Sequence, residues 1–353
     1  MRNYDYENKW QKLLTPEVVK YLTTIHEYKG QQHLIANRHA DVLNDLVELA
    51  FIQSTESSNS IEGIYTSDER LKKIIMDKTM PKTRNECEIA GYRDVLNTIH
   101  ENYKHIPIKP TYILQLHKDL YKFENTRTGG SFKSVDNVIE EQDMEGNRFV
   151  RFNPIAAWET SEAIERICEA YNNAINKDNA DPLLIIPMFI LDFLCIHPFS
   201  DGNGRMSRLL TLLLLYKSGY LVGKYISIER LIEKTKTSYY YMLRESSKNW
   251  HEELNDYEPF VKYMLGVVVA AYRDFMERTK LIEDRKVSKP DRISEEIKNH
   301  IGTITKAELL RMMSNVSQTT IQRTLAELVK QKKIKKIGKG RYTKYVWNWE
   351  KED

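Results

Sequence analysis

The chain has 353 residues, 41% of them hydrophobic, which is enough to bury the core of one large domain together with one or two small ones. The first residues lack the basic start and apolar stretch of a signal peptide, and no run approaches the roughly 18 apolar residues that cross a bilayer, so we expect a cytoplasmic protein with no membrane partner. The formal net charge of +3 is unevenly distributed, because residues 284–353 carry 17 Lys and Arg against 9 Asp and Glu.

Helical spacing of apolar residues dominates the first 280 residues. Apolar side chains recur every three or four residues in 37–51, 86–99 and 158–175, which predicts helices and a mainly α fold. A serine-rich patch lies at 54–60, and its composition favours a polar linker. Ser58 and Glu62 would nevertheless share one face if this patch were helical.

One segment is typical of β structure. Within residues 131–152, β-branched and aromatic residues flank a polar turn at 145–147, which predicts a hairpin on an otherwise helical body. Farther along, residues 182–196 and 206–216 are apolar on nearly every side, as expected of buried central helices. The polar, glycine-rich loop between them is the most informative part of the chain.

The residues of this loop favour a phosphate site. Pro198 disfavours helical geometry at His197, so the preceding helix should end there and leave an imidazole that can accept a proton. Asp201 is a hard oxygen ligand suited to Mg²⁺. Gly202 and Gly204 allow backbone N–H groups to approach an anion at the positive end of the next helix.

Three further side chains of the loop point to the same ligand. Asn203 supplies an amide donor, and Arg205 and Arg208 share a face of the first helical turn, where cations are disfavoured unless an anion is bound. Taken singly, these features also fit an ordinary turn with surface charges. Their occurrence together within twelve residues favours a polyphosphate ligand.

The sequence from His197 to Arg208, HPFSDGNGRMSR, resembles the complete signature of the Fic (filamentation induced by cAMP) family. The resemblance implies a mainly helical fold with a β-hairpin flap, and transfer of AMP from ATP to a Ser, Thr or Tyr hydroxyl of a target protein with release of pyrophosphate. It also implies a role for each loop residue: His197 as general base, Asp201 as Mg²⁺ ligand, Gly202, Asn203 and Gly204 on the α- and β-phosphates, and Arg205 and Arg208 on the outer phosphates.

The resemblance extends to three segments outside the loop. The predicted hairpin matches the flap, which pairs with the target through main-chain hydrogen bonds; its first residues are Ser131, Phe132, Lys133 and Val135. At Lys133 the family often carries arginine, and the alternative is an ordinary surface hairpin. Tyr240 resembles a residue that lines the nucleotide base and ribose, although such aromatic residues are more often part of a core.

The same resemblance includes the end of the serine-rich patch. Ser58, Glu62 and Gly63 resemble the inhibitory helix motif of the family, here ahead of the core domain. Glu62 would pair with Arg208 and take the place of the ATP γ-phosphate. The isolated chain is therefore expected to be weakly active.

The basic C-terminal part is predicted to be a winged helix-turn-helix. Residues 291–301, 306–313 and 317–330 are predicted helices, and two short strands flank Gly338 and Gly340. The third helix would enter a DNA major groove while the strands contact phosphates. The predicted DNA contacts are Gln318, Thr319, Thr320, Gln322 and Arg323 on the helix, and Lys332, Lys333, Lys335, Lys336, Lys339 and Arg341 on the hairpin. Winged helices also bind proteins, so that alternative stays open.

These observations predict three regions, 1–105 with the inhibitory motif, 106–283 as the Fic core and 284–353 as the winged helix, with a linker at 284–291. The expected activity is that of an autoinhibited protein adenylyltransferase that uses ATP and Mg²⁺. The alternatives are a hydrolase that removes AMP from modified proteins at the same site, and a nucleotide-sensing DNA-binding regulator. The target protein is not identified by the sequence, and self-modification and a homodimer stay open.

Overall fold

The computed structural model describes all residues except 1, 39, 125–128, 143–147, 287, 301, 314–315, 339, 341–342 and 349–353. The chain divides into two compact units, Met1–Glu277 and Arg278–Asp353. Among the described residues, none of the helices is both long enough and apolar enough to cross a membrane.

The first unit is built mainly from α-helices. In chain order they are α1 Tyr6–Lys9, α2 Pro16–Arg38, α3 Ala40–Ile61, α4 Asp68–Ile75, α5 Arg84–Asn102, α6 Pro110–Leu120, α7 Thr160–Lys177, α8 Pro182–Ile196, α9 Asn203–Lys217, α10 Ile228–Lys234, α11 Lys236–Ser247 and α12 Glu258–Lys286. Short 3₁₀ helices lie at Trp10–Leu13, Tyr103–His105, Ala157–Glu159 and Val222–Lys224.

The helices α8 and α9 lie at the centre of this unit. Asp181 caps the start of α8 by accepting the N–H of Leu183, and Pro182 occupies a first-turn position where its missing N–H costs nothing. Both helices are buried on nearly every side, as predicted, because their apolar residues form the middle of one hydrophobic core. This packing fixes the loop that joins them.

The serine-rich patch belongs to a buried helix rather than to a linker. Residues 54–60 form the last turns of α3, and Ser54, Ser57 and Ser58 are buried. The Ser54 hydroxyl donates to the buried carboxylate of Glu229 on α10 at 2.6 Å. A polar composition is compatible with burial here because the hydroxyl groups of Ser54 and Ser58 have hydrogen-bond partners inside the protein, although that of Ser57 has none among the described residues.

The hairpin is shorter than predicted. Strands β1 Ile139–Gln142 and β2 Arg148–Phe152 are antiparallel, whereas residues 131–138 form no regular structure. The backbone N–H of Lys133 donates instead to Pro198 at 2.8 Å, next to the end of α8, so this segment is tied to the central loop and not to a sheet. The predicted turn at 145–147 lies outside the described residues.

After α12, which continues past Glu277 to Lys286, the second unit has three helices and three strands within the described residues. They are α13 Lys289–Asn299, β3 Ile304–Thr305, α14 Lys306–Met312, α15 Gln318–Lys330, β4 Ile334–Ile337 and β5 Lys344–Trp347. The strands form an antiparallel sheet in the order β3-β5-β4 over a separate apolar core. Much of the predicted linker at 284–291 is helical, since α12 continues to Lys286 and Ser288 caps α13.

Candidate active site

The end of α8 presents an imidazole. His197 has φ +50°, which ends the helix as Pro198 predicts, and its N–H donates to Phe193 at 3.0 Å. Nδ1 of His197 lies 3.3 Å from the carbonyl oxygen of Leu194. A carbonyl can only accept, so Nδ1 carries the hydrogen and Nε2 keeps a free lone pair. Burial lowers the pKa of His197 to about 4, which leaves the ring neutral at pH 7.

The loop that follows is held by its own side chains. The Asn203 amide accepts the N–H of Phe199 at 2.9 Å and donates to its carbonyl at 2.7 Å. Gly202 is the residue before α9, with φ +79°, and its carbonyl accepts the N–H of Met206. Because the side chain of Asn203 shapes the loop, its predicted contact with phosphate stays a prediction.

Two residues that were not predicted from the sequence support this loop. The His117 ring stacks on Phe199 with centroids 3.6 Å apart, and its Nε2 lies 3.1 Å from the carbonyl oxygen of Asp201. The amide of Asn137 donates to the carbonyls of His197 and Phe199. Both residues lie 60 or more positions before their partners, so no local pattern marks them.

Five of the predicted residues meet at one cavity of about 730 Å³: Glu62, His197, Gly204, Arg208 and Tyr240. The wall is completed by the hairpin, with Glu140, Glu141, Arg151 and Phe152. Tyr239 and Tyr240 both line the cavity, and Tyr239 also packs against Phe260, so the predicted nucleotide contact of Tyr240 stays a prediction. Asp201, Gly202, Asn203 and Arg205 are not part of this lining.

Arg208 is held by the end of α3. Its Nη2 lies 2.8 Å from Oε1 of Glu62, its Nε donates to the Ser58 hydroxyl at 2.8 Å, and Nη2 also donates to the Ser58 carbonyl. The Arg208 guanidinium is buried, and burial, the largest single influence, would lower its pKa, but Glu62 and the neighbouring tyrosines together raise it. The contact that the resemblance implies is therefore present in the structure.

Gly63 explains how Glu62 reaches this position. The N–H of Gly63 donates to Ser60, and that of Ile64 donates to Asn59, the hydrogen-bond pattern of a Schellman motif. This pattern needs a left-handed residue, and Gly63 has φ +77°. The helix thus ends with Glu62 directed at the start of α9.

Glu62 also lies against the backbone of the predicted phosphate cradle. A Cβ atom placed on Gly204 would stand 2.1 Å from Oε1 of Glu62, so only glycine allows this approach. The N–H groups of the first turn of α9 have no carbonyl partner within the helix, and the helix dipole favours an anion there. The carboxylate of Glu62 occupies the place where such an anion is stabilised.

Arg205 has a different environment. Its guanidinium is 1% exposed; Nη1 lies 2.7 Å from Oε2 of Glu88 on α5, and Nη2 donates to the Tyr121 hydroxyl at 2.9 Å. The structure does not bring Arg205 to the cavity with Arg208, and its predicted phosphate contact stays a prediction. Neither Glu88 nor Tyr121 was predicted, because each is more than 80 residues away in the sequence.

Asp201 is a single exposed carboxylate at the edge of the loop. Its Oδ1 accepts the N–H of Gly202 at 2.6 Å, and its Oδ2 lies 3.7 Å from Nη2 of Arg84. Among the described residues, no three acidic, histidine or cysteine side chains cluster as a metal site. One carboxylate fits Mg²⁺, which is usually bound by one or two carboxylates together with substrate phosphates and water.

The residues predicted to begin the flap differ in exposure. Ser131 and Val135 are exposed and Phe132 is partly buried, whereas Lys133 is buried. Nζ of Lys133 donates to the carbonyl of Ile196 at 3.0 Å and to Asn137, and burial lowers its pKa to about 8. Lys133 therefore fastens this segment to the end of α8, while its docking role toward a target stays a prediction.

In the second unit, four of the five predicted DNA contacts on α15 share one exposed face, and the fifth, Thr320, is half-buried. Gln318, Thr319, Gln322 and Arg323 are exposed, while Ile321, Leu325 and Leu328 of the same helix are buried. On β4 and just before it, Lys332, Lys333, Lys335 and Lys336 are exposed. The predicted contacts Lys339 and Arg341 lie outside the described residues.

Known Fic proteins resemble this chain in sequence and in fold. The Fic/DOC family model matches residues 107–215. The chain is 21% identical over 279 residues to protein adenylyltransferase fic-1 of Caenorhabditis elegans, covering 77% of this chain and 50% of that protein. It therefore spans about half the length of that curated relative.

Solved structures share the fold. A Fic family protein from Desulfovibrio desulfuricans G20 matches with a TM-score of 0.61 and 19% identity, covering 95% of this chain and 97% of that one. Fic-1 of C. elegans (residues 134–508) matches with a TM-score of 0.60 and 19% identity, covering 77% and 75% of the two chains. At such identity the likeness concerns the fold alone.

Proposed function

Since the chain is a Fic family protein through residues 107–215, we propose that it transfers AMP from ATP to a hydroxyl group of a target protein. The observation that carries this proposal is the cavity in which a neutral imidazole with a free Nε2 faces the positive end of α9. The base and the anion site are contributed by the two ends of one loop. Such an arrangement suits transfer of a phosphoryl group to a hydroxyl.

In the proposed reaction, Nε2 of His197 accepts the proton of the target hydroxyl as its oxygen attacks the α-phosphorus of ATP. The bond from the α-phosphorus to the bridging oxygen of the β-phosphate breaks, and pyrophosphate leaves. The first turn of α9 and Arg208 neutralise phosphate charge, because positioning and charge neutralisation supply most of the rate in phosphoryl transfer. Asp201 would hold Mg²⁺, which when bound adds charge neutralisation on the phosphates.

The test is incorporation of label from ATP labelled at the α-phosphate, followed by mass spectrometry for added AMP. The Glu62→Gly protein is expected to incorporate label into itself or into a target, and Glu62→Gly with His197→Ala should lose at least about a hundredfold of that activity. Calorimetry should find ATP binding retained in both. Unchanged incorporation without His197 would contradict its role as the base.

The alternative, a hydrolase that removes AMP from modified proteins, is tested with the wild-type chain and the Glu62→Gly variant. Wild-type and Glu62→Gly proteins would be incubated with an AMP-modified protein and Mg²⁺. Release of AMP by the wild type, together with no transfer by either protein, would replace the proposed transferase with a hydrolase.

We also propose that Glu62 restrains the transferase. Its contacts with Arg208 and with the backbone beside Gly204 occupy an anion position at the start of α9. An ATP molecule must then bind with its outer phosphates displaced from Arg208. The unmodified chain is accordingly expected to be weakly active until the end of α3 moves.

DNA binding is a second proposal, supported by the exposed polar face of α15 and the exposed lysines of β4. The order of helices and strands in this unit matches the winged helix expected from the sequence. The full chain is expected to retard duplex DNA less as salt rises. Arg323→Ala and Lys336→Ala should weaken retardation, whereas Lys248→Ala, in the first unit, should not; no retardation at low salt would exclude DNA as the partner.

A further inference from the structure

Arg151 reaches the cavity because the hairpin contains a β-bulge. Ile139 is opposite Phe152 and Glu140 is opposite Val150, so Arg151 is an extra residue on β2 with no partner across the strands. In a regular strand, consecutive side chains point to opposite faces. Here Arg151 and Phe152 both line the cavity, which is the kind of redirection that a bulge produces.

The guanidinium of Arg151 is buried without full hydrogen bonding. Its side chain is 7% exposed, and its Nε lies 3.5 Å from Oε1 of Glu141. Its Nη1 is buried and has no hydrogen-bond partner. A buried polar donor left unpaired is unfavourable, and more so when it is charged, so such a group facing a cavity indicates a ligand that completes its hydrogen bonding.

The other cations that line the cavity already have partners. Arg208 is bound by Glu62 and Ser58, and Nζ of Lys236 donates to the carbonyl of Ile61 at 2.7 Å. Arg151 shares Glu141 with Arg244, whose Nη1 is 3.6 Å from that carboxylate. Among the three cations that line the cavity, Arg208, Lys236 and Arg151, only Arg151 has a buried donor without a partner in the described part of the chain.

Arg151 also acts on the groups that surround the reacting atoms. Burial is the main reason that the pKa of His197 is low, and the positive charges of Lys133 and Arg151 lower it further. The same arginine lies in the cavity wall with Tyr240 and Cys195. Its charge therefore acts at the place where the hydroxyl and the α-phosphate would meet.

We propose that Arg151 binds the α-phosphate of the nucleotide, the group that is transferred. This inference rests on the proposed function, which puts the α-phosphorus beside the hydroxyl that His197 deprotonates. Arginine suits phosphate because its planar guanidinium donates two parallel hydrogen bonds. Arg151 stays protonated throughout and forms no covalent bond with substrate. It stabilises the charge on the oxygens of the α-phosphate, while Arg208 binds the outer phosphates.

The experiment compares AMP, which has only the α-phosphate, with adenosine, which has none. Calorimetry on the Glu62→Gly protein would be repeated with Arg151→Ala and Arg151→Lys added. Arg151→Ala should weaken AMP binding at least tenfold and leave adenosine binding within about twofold, and Arg151→Lys should fall between them. Arg244→Ala, which removes an exposed arginine that shares Glu141, should change neither affinity.

Other outcomes decide against the proposal. Equal losses for AMP and adenosine would show that Arg151 only supports the cavity wall, and an unchanged AMP affinity would show that it does not touch the α-phosphate. If Arg151→Ala does not fold, Arg151→Lys and the thermal midpoint of each protein still separate the two roles. Because binding is measured without transfer, an AMP-specific loss in a protein that never transfers AMP would retain this site and reject the transferase.

Discussion

Two arginines in the first turns of α9 are each paired with a glutamate, and the two pairs are built differently. Arg205 meets Glu88, which lies within α5 and is 5% exposed. Arg208 meets Glu62, which follows the last residue of α3 and is 32% exposed. The first glutamate is fixed by a helix on both sides, whereas the second is held by a helix end.

The difference indicates separate tasks for the two pairs. A buried charge without its partner is strongly unfavourable, so the Glu88 contact must persist in every folded state. The partly exposed carboxylate of Glu62 can return to water while the Ser58 hydroxyl and carbonyl still hold the buried Arg208, so this contact can open without unfolding the protein. We infer that Glu88 belongs to the framework, while Glu62 belongs to regulation.

The largest expected effect comes from breaking the framework pair. Glu88→Gln should lower the free energy of unfolding by about 3–5 kcal/mol, because the buried Arg205 guanidinium then keeps only Asp201 as a counter-charge, with its Oδ1 3.9 Å from Nη2. Urea denaturation of the full chain measures this. The matched variant Glu62→Gln should lower the same free energy less, because the Ser58 hydroxyl and carbonyl still accept hydrogen bonds from the buried Arg208 guanidinium. Equal losses in the two variants would remove the distinction between the pairs.

The next effect concerns activity rather than stability. Glu62→Gln and Glu62→Gly should each raise AMP transfer at least about tenfold over wild type, because Arg208 and the start of α9 become available to ATP; tenfold corresponds to about 1.4 kcal/mol. Glu88→Gln should not raise transfer. Label from ATP measures both, and equal transfer by wild type and the Glu62 variants would exclude the restraint.

A smaller effect is expected from loosening the helix end without touching either charge. Gly63→Ala forces a side chain into φ +77°, where the strain is about 1–2 kcal/mol, so the end of α3 should refit and release Glu62 part of the time. We expect transfer to rise by a few fold, less than for Glu62→Gly. Gly302→Ala imposes similar strain at φ +93° in the second unit, with open space around the added Cβ, and should leave transfer unchanged.

The sequence predicted the residues of the loop well because they are contiguous. The end of α8 at His197 and the start of α9 follow from local rules of proline, glycine and apolar spacing. Glu62 was predicted only from the resemblance to the Fic family, because the composition around it favoured a linker. That composition misled because Ser54 and Ser58 find their partners, Glu229 and Arg208, about 150 or more positions away.

The same physical reason accounts for the residues that were missed. Glu88, Tyr121, His117 and Arg151 meet the loop only through packing of helices and a hairpin that are separated in sequence. The bulge that directs Arg151 inward depends on strand register, and a single sequence does not fix register when both strands lack strict alternation. Local sequence patterns therefore predicted the candidate base His197, whereas the charged residues around it are brought together only by the fold.

The smallest effect expected at neutral pH is on the base itself, because burial has a larger influence on the pKa of His197 than the charge of Glu62 has. Burial lowers the pKa of His197 to about 4 from an ordinary value near 6.5, so the ring can accept a proton at every pH above that point. Transfer by the Glu62→Gly protein should therefore stay level as pH falls from about 7 to about 6, and then decline as pH passes through about 4 and the ring becomes protonated.

Gly63→Ala should show a lower plateau, with its acid limb at the same pH as that of Glu62→Gly or slightly above it, because the retained Glu62 charge raises the pKa of His197. An acid limb centred near pH 6.5 in either protein would show that His197 is hydrated like a surface histidine when the restraint is lifted. In that case the release of Glu62 would open the cavity as a whole. An acid limb near pH 4 in both proteins would instead show that the release of Glu62 affects mainly Arg208 and the start of α9.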